Sequence, residues 1–243
     1  FSNIKKIQIK LNDKMKEKKE AAGMSVFSDR LEIFYIRHAD TSGAQQAGSC
    51  SCDIDLSAEG EKQLLLLAER FRGASFDAVL CSPLVRAVKT AAALVNALET
   101  PKTIELVPEL IEKGTLPGYT GADIAFLKRY YPAIALCRDE IYGKNGVFSN
   151  MTDAENTKRA KAVIRYLKSR FTYGQKIAVV SHGSFGNAFL PAAVGMDEGD
   201  FILSINNTSV SKIKYTDDGK QRLSFVNDLS HLRTLMPDYQ FDV

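Results

Sequence analysis

Histidine is scarce in this sequence, three among 243 residues, and cysteine is hardly commoner at four. Four cysteines (50, 52, 81 and 137) are too few for the dense disulfide framework of a small secreted domain. The close pair Cys50 and Cys52 has the chemistry to bind a metal, but no histidine or second cysteine pair lies nearby. A reduced, cytoplasmic setting is therefore expected, with no metal and no cofactor. No apolar run approaches the roughly eighteen residues that a membrane helix needs. The longest, "AAALVNAL" and "LLLLA", fall inside amphipathic helical patterns. Also absent are internal repeats, low-complexity tracts and the phosphate-cradling Gly-x4-Gly-Lys-Ser/Thr run.

An excess of one charge is missing as well. The net charge is +3, and residues 1–20 alone hold seven lysines against three acids, which leaves about −1 for the rest. A nearly neutral body argues against a nucleic-acid surface, whose footprint is a basic stripe. Because the chain opens on Phe1 rather than Met, residues upstream are expected to be missing, and whether they include a signal peptide stays open.

What is present suits a globular α/β chain: 45% apolar and 25% charged residues, at a length fitting one domain with room for a small cap. Ile4, Ile7, Leu11 and Met15 recur at helical spacing among lysines, and "AAGMSVFSDR" follows as a linker. Residues 1–28 are thus read as a basic amphipathic extension, loosely docked or free to meet a partner or an anionic surface. Residues 29–243 are read as the domain.

From Asp29 onward, strands and helices alternate. "LEIFYI" reads as a buried strand, and "SAEGEKQLLLLAERFRG" as a helix with Ser57 as N-cap and Gly73 as its stop. "FDAVLCS" is a strand, followed by "PLVRAVKTAAALVNALE", a helix with Pro83 at its first position. "TIELVP" is a short strand. Residues 114–150 then form an insertion with a short helix in "TGADIAFLKRYYP", the expected cap over the strand ends. "DAENTKRAKAVIRYLKSRFTYG" is a long helix, "KIAVVS" a strand, "SFGNAFLPAAVGM" a helix, and "VSKIKYTDDGKQRLSFVN" a hairpin turning at Asp-Gly. Such alternation predicts a three-layer α/β sandwich: a mostly parallel central sheet, an antiparallel edge, and helices on both faces.

Ligands of open α/β sheets bind outside the carboxyl ends of the strands. His38 stands at the end of "LEIFYIR" and His182 at the end of "KIAVVS". "LCSPLVRA" ends a third strand and opens a helix carrying Arg86. Arg37, His38, Arg86 and His182 are thereby expected on one rim. Two guanidinium forks and two imidazoles around a point suit a phosphate: the forks bind its oxygens in pairs, and a neutral imidazole can attack phosphorus. His182 is suited to donate to the phosphoryl oxygens, with the Gly183 backbone approaching closely.

These stretches resemble the histidine phosphatase superfamily, which includes the cofactor-dependent phosphoglycerate mutases. "RHADT" resembles its Arg-His-Gly signature, "CSPLVRAVKTA" its Ser-Pro-x-x-Arg-x-x-x-Thr block, and "VVSHGS" its second histidine block. "DIDLSAEGEKQ", "NNTSVSKIKY" and "NDLSHL" resemble further stretches in the right order, over residues 31–235. The resemblance implies that His38 is the phosphorylated nucleophile and that Arg37, Arg86 and His182 hold the phosphoryl group. It also implies a carboxylic acid that protonates the leaving oxygen, which falls on Glu112 in "VPELIEKG", with Glu109 the second choice. Ala39 and Asp40 replace the family's usual Gly and frequent Glu, and reshaped substrate contacts are expected there. Ala44 stands where mutase members carry Asn, and the stretch from Glu112 to His182 is shorter than the mutases' capping region. Both favour a phosphatase over a mutase.

The expected partner is a phosphorylated substrate. If Tyr119, Phe126, Tyr130, Tyr131, Tyr142 and Phe148 line the mouth rather than pack the cap, an aryl or bulky organic phosphate is favoured. A homodimer, and a partner held by the N-terminal helix, stay open. Competing readings are a degenerate phosphate-binding module and an α/β-hydrolase built on Ser184 in "HGSFG", with Asp217, Asp218 or Asp228 and His231 completing a triad. His231 otherwise reads as structural, as do Thr90, Asn206 and Asn207.

Overall fold

Successive residues of the first strand serve two different cores. In a computed structural model, which describes residues 29–42, 44, 53–114, 121–137, 139, 141–142, 151–171, 174–196 and 202–233, strand β1 spans Asp29–Arg37. Leu31, Ile33 and Tyr35 enter one apolar cluster, while Phe34 and Ile36 turn to another. Side chains alternate across a strand, so this run of apolar residues fits a strand covered on both faces. The N-terminal extension and the Cys50–Cys52 pair lie outside the described residues.

The covering layers are helical. Helix α1 (Ala58–Arg70) and helix α2 (Val85–Ala97) close one face, with Leu67, Val88, Ala91 and Leu94 in the core. Helix α3 is a single turn, Ile124–Leu127, capped by Asp123. Helix α4 (Asp153–Arg170) and helix α5 (Gly183–Ala193) close the other face through Val163, Leu167, Phe185 and Phe189. Ser57 caps α1 as expected, its Oγ accepting the Gly60 N–H at 3.0 Å. α4 starts with a capping box in which Thr152 and Glu155 satisfy each other's backbone.

β2 (Ala78–Cys81), β3 (Ile104–Leu106), β4 (Ile134–Leu136), β5 (Gln175–Ser181), β6 (Val210–Thr216) and β7 (Gln221–Asp228) complete one sheet. Its order is β4-β3-β2-β5-β1-β6-β7. The five strands from β4 to β1 are parallel, and β6 and β7 add the antiparallel edge. The predicted α/β sandwich is the fold observed. The hairpin turns at Gly219, whose φ of +80° is open to glycine at no steric cost.

One local expectation shifts. Pro83 precedes α2 rather than opening it, because the Asp53 carboxylate takes the Val85 N–H at 2.9 Å and thereby sets the helix start there. The segment expected to cap the strand ends contributes α3 and, through β4, an edge strand of the sheet. Within that segment Tyr131 donates to the Lys102 carbonyl, and Phe126 and Tyr130 pack on the α2 side of the core. Tyr119 and Phe148 lie outside the described residues.

Candidate active site

β5 lies between β1 and β2, so the carboxyl ends of three adjacent strands meet at one rim. The backbone stitches that rim together: His38 N–H donates to the Ser181 carbonyl at 2.9 Å, and Ser82 N–H to the Val180 carbonyl at 3.0 Å. His38 leaves β1 there, Ser82 leaves β2, and His182 leaves β5 as the N-cap residue of α5. The two imidazoles stand 5.0 Å apart, centre to centre, tilted by 57°.

The partners of His38 define its tautomer. Its Nδ1 lies 2.7 Å from the Ala39 carbonyl, which only accepts, so Nδ1 carries the hydrogen. Nε2 then holds the lone pair, and Arg86 Nε, which only donates, faces it at 3.3 Å. Burial first, and the Arg86 charge second, hold this imidazole well below its usual pKa. It is neutral at neutral pH. The peptide around it is braced from behind: Asn207 Nδ2 donates to the His38 carbonyl at 3.0 Å, and Thr208 N–H reaches the Arg37 and His38 carbonyls. Thr208 holds φ at +54°, a left-handed conformation that a β-branched residue adopts only where its surroundings impose it.

His182 has no exposed surface, and its Nε2 lies 2.7 Å from Ser82 Oγ. Burial, then Arg86, depress its pKa too. Its Nδ1 is buried without a hydrogen-bond partner, and so is Nε of Arg37. Orphaned polar atoms are rare in folded proteins, and two on one rim leave polar capacity there for a ligand to meet. Arg37 itself is held by its Nη1 donating to the Ile205 carbonyl at 2.5 Å. A Cβ on Gly183 would stand 3.3 Å from the Arg37 guanidinium carbon, so the missing side chain lets that group lie against the start of α5.

Glu112 closes the circle. Its carboxylate accepts the Phe185 N–H at 2.9 Å and the Ser184 N–H at 3.2 Å, so it rests on the first turn of α5 beside His182 and Gly183. Glu109 points elsewhere: it accepts the Tyr142 N–H at 3.2 Å, and burial raises its pKa. The structure thus brings Arg37, His38, Arg86, His182, Gly183 and Glu112 together and sets Glu109 apart, against the inserted segment.

Three contributors carry no role in the sequence reading. Ser82 orients His182, and Asp53 fixes the start of α2 and hence Arg86. Arg159 is buried behind Glu112. Thr90, read as a local packing residue, accepts the Ala39 N–H at 3.0 Å and donates to the Arg86 carbonyl at 2.7 Å, tying the chain after His38 to α2. A hydrolase triad on Ser184 is not assembled, since His231 faces Arg70 and Thr208 with its two ring nitrogens. Cys81 is buried with its thiol pKa pushed well up, which leaves it inert as a nucleophile.

Residues 33–228 match the histidine phosphatase superfamily (branch 1), and the chain belongs to that family. It is similar to an uncharacterized phosphatase, PhoE, of Bacillus subtilis (strain 168): 27% identical over 201 residues, covering 82% of this chain and 96% of that protein. Among solved structures it shares the fold of a phosphoserine phosphatase from Entamoeba histolytica, with a TM-score of 0.57, 23% identity, and coverage of 83% and 99% of the two chains. A mycobacterial glucosyl-3-phosphoglycerate phosphatase gives a TM-score of 0.57 at 21% identity, covering 81% of this chain and 98% of that one. No helix among the described residues is long and apolar enough to cross a membrane.

Proposed function

We propose that this protein hydrolyses a phosphomonoester through a phosphohistidine on His38. The observation that carries the reading is the His38 tautomer: Nδ1–H is committed to the Ala39 carbonyl, and the Nε2 lone pair faces the cationic rim. In the first half-reaction Nε2 attacks phosphorus as the ester P–O bond breaks. The departing oxygen takes the electron pair and a proton from Glu112. The Arg86 hydrogen bond passes from Nε2 to a phosphoryl oxygen, and Arg37, His182 Nδ1–H and Gly183 complete the cradle. In the second half-reaction water attacks phosphorus, Glu112 takes its proton, the N–P bond breaks and phosphate leaves. His38 is returned neutral.

Hydrolysis is favoured over phosphoglycerate isomerisation by Ala44 in the mutase asparagine position and by the names of the relatives. A degenerate binding module has no need of a neutral nucleophile held in one tautomer. The solved relatives' names give phosphoserine and glucosyl-3-phosphoglycerate as substrates of those proteins, so both belong in a substrate panel beside an aryl phosphate. The deciding experiment pairs that panel with acid–base quench of the enzyme after exposure to a labelled phosphodonor. Wild type should carry base-stable, acid-labile label, and His38→Ala should lose both label and turnover while keeping its fold. Turnover surviving in His38→Ala would end the proposal.

A further inference from the structure

Arg159 is the largest side chain without exposed surface among the described residues, although it lies in α4, a helix otherwise rich in solvated charge. Burying a guanidinium is costly unless its donors and charge are met. Nη1 donates to the Ile111 carbonyl at 3.0 Å, Nη2 to Asn156 Oδ1 at 2.6 Å, and the group lies 4.6 Å from the centre of the Phe185 ring. Burial draws its pKa down to about 10, so it stays cationic at neutral pH.

These partners share one destination. Ile111 is the residue before Glu112, so Nη1 grips the peptide from which the carboxylate springs. Asn156 passes the contact on, its Nδ2 donating to the Ser184 carbonyl at 3.4 Å. Ser184 and Phe185 supply the N–H groups that hold the Glu112 carboxylate, and Phe185 is also the ring beneath the guanidinium. Arg159 therefore secures Glu112 at both ends, at its backbone and at the helix turn where its oxygens rest. Its charge also reaches Glu112, Glu109 and His182.

We propose that Arg159 is the positioning residue of the proton donor, fixing where the Glu112 carboxyl meets the leaving oxygen without itself touching substrate. The inference rests on Glu112 being that donor, and its test keeps the two claims separable. Arg159→Met, Glu112→Gln and wild type are compared by kcat/KM, which reports the chemistry up to phosphohistidine formation, on p-nitrophenyl phosphate and on β-glycerophosphate. A nitrophenolate leaves without a proton, whereas an alkoxide needs one. Circular dichroism checks that each variant is folded.

The expected result is a parallel split. Both variants lose about a hundredfold on the alkyl ester, the scale on which a misplaced catalytic group costs rate, and only a few-fold on the aryl ester. If Glu112→Gln splits the two esters and Arg159→Met does not, through a uniform loss or none, the positioning role is overturned and the proton donor stands. If Glu112→Gln shows no split, the donor assignment falls and this inference falls with it. Should Arg159→Met fail to fold, Asn156→Leu interrupts the same chain of contacts and is judged by the same two esters.

Discussion

An imidazole that attacks phosphorus must keep its lone pair, and the surroundings of His38 do this with neutral burial and two flanking arginines. In the proposed mechanism the same arginines also bind the substrate, so one set of charges serves both ends. At this scale Gly183 is the sharpest test. Gly183→Ala places a methyl 3.3 Å from the Arg37 guanidinium carbon, which must shift by a few tenths of an ångström within the proposed phosphate site. KM and the inhibition constant of inorganic phosphate should each rise about tenfold, the worth of roughly one charge-assisted hydrogen bond, with kcat much less affected. Steady-state kinetics with phosphate as inhibitor measure both. Arg37, His38, Arg86 and His182 were legible in the sequence because each sits at a strand end or in the helix turn after one, where α/β ligands bind. Arg159 was not. An arginine in an amphipathic helix reads as a solvated charge, and only the docking of α5 and the Ile111 carbonyl buries it.

At the scale of elements, the site depends on how closely α1 crosses the chain leaving β1. A Cβ on Gly60 would fall 2.2 Å from the Asp40 carbonyl oxygen, and Ser57 bonds Asp40 from the same turn, through its N–H at 3.0 Å and its hydroxyl at 2.6 Å. The obstacle is backbone and has little room to give. Gly60→Ala should therefore destabilise the fold by about 1–3 kcal/mol, seen as a lower urea midpoint, and should depress turnover because Asp40 is two residues from His38. The helices and central strands were readable from capping residues and apolar periodicity, as Ser57 at the start of α1 illustrates. β4 was not, since three residues after Pro132 carry no period, and pairing with β3 alone makes Ile134–Leu136 a strand. Nor does a threonine announce a left-handed backbone; the carbonyls of Arg37 and His38 draw Thr208 into it.

For the whole molecule, all three histidines are held neutral. His38 and His182 are depressed well below 6.5, and burial takes His231 to about 4. Below pH 6.5 the unfolded chain binds protons that the folded one refuses, so stability is full above that pH and falls as the solution is acidified towards 4. With up to three protons taken up on unfolding, the slope approaches a limit of about 4 kcal/mol per pH unit. Calorimetry at pH 7.5 and 5.5 should show a clear drop in melting temperature, and a flat profile would contradict the buried neutral imidazoles. The order of the sheet carries a last consequence. His38 and His182 come from opposite halves of the chain, and the strand that delivers the second imidazole is inserted between the two that deliver its neighbours. A polypeptide stopped short of β5 holds the proposed nucleophile His38 with Arg37 and Arg86, yet lacks His182 and Gly183 of the proposed cradle. In a refolding experiment, the return of phosphate release would thus time the seating of that central strand, with catalysis serving as the clock for one long-range step of assembly.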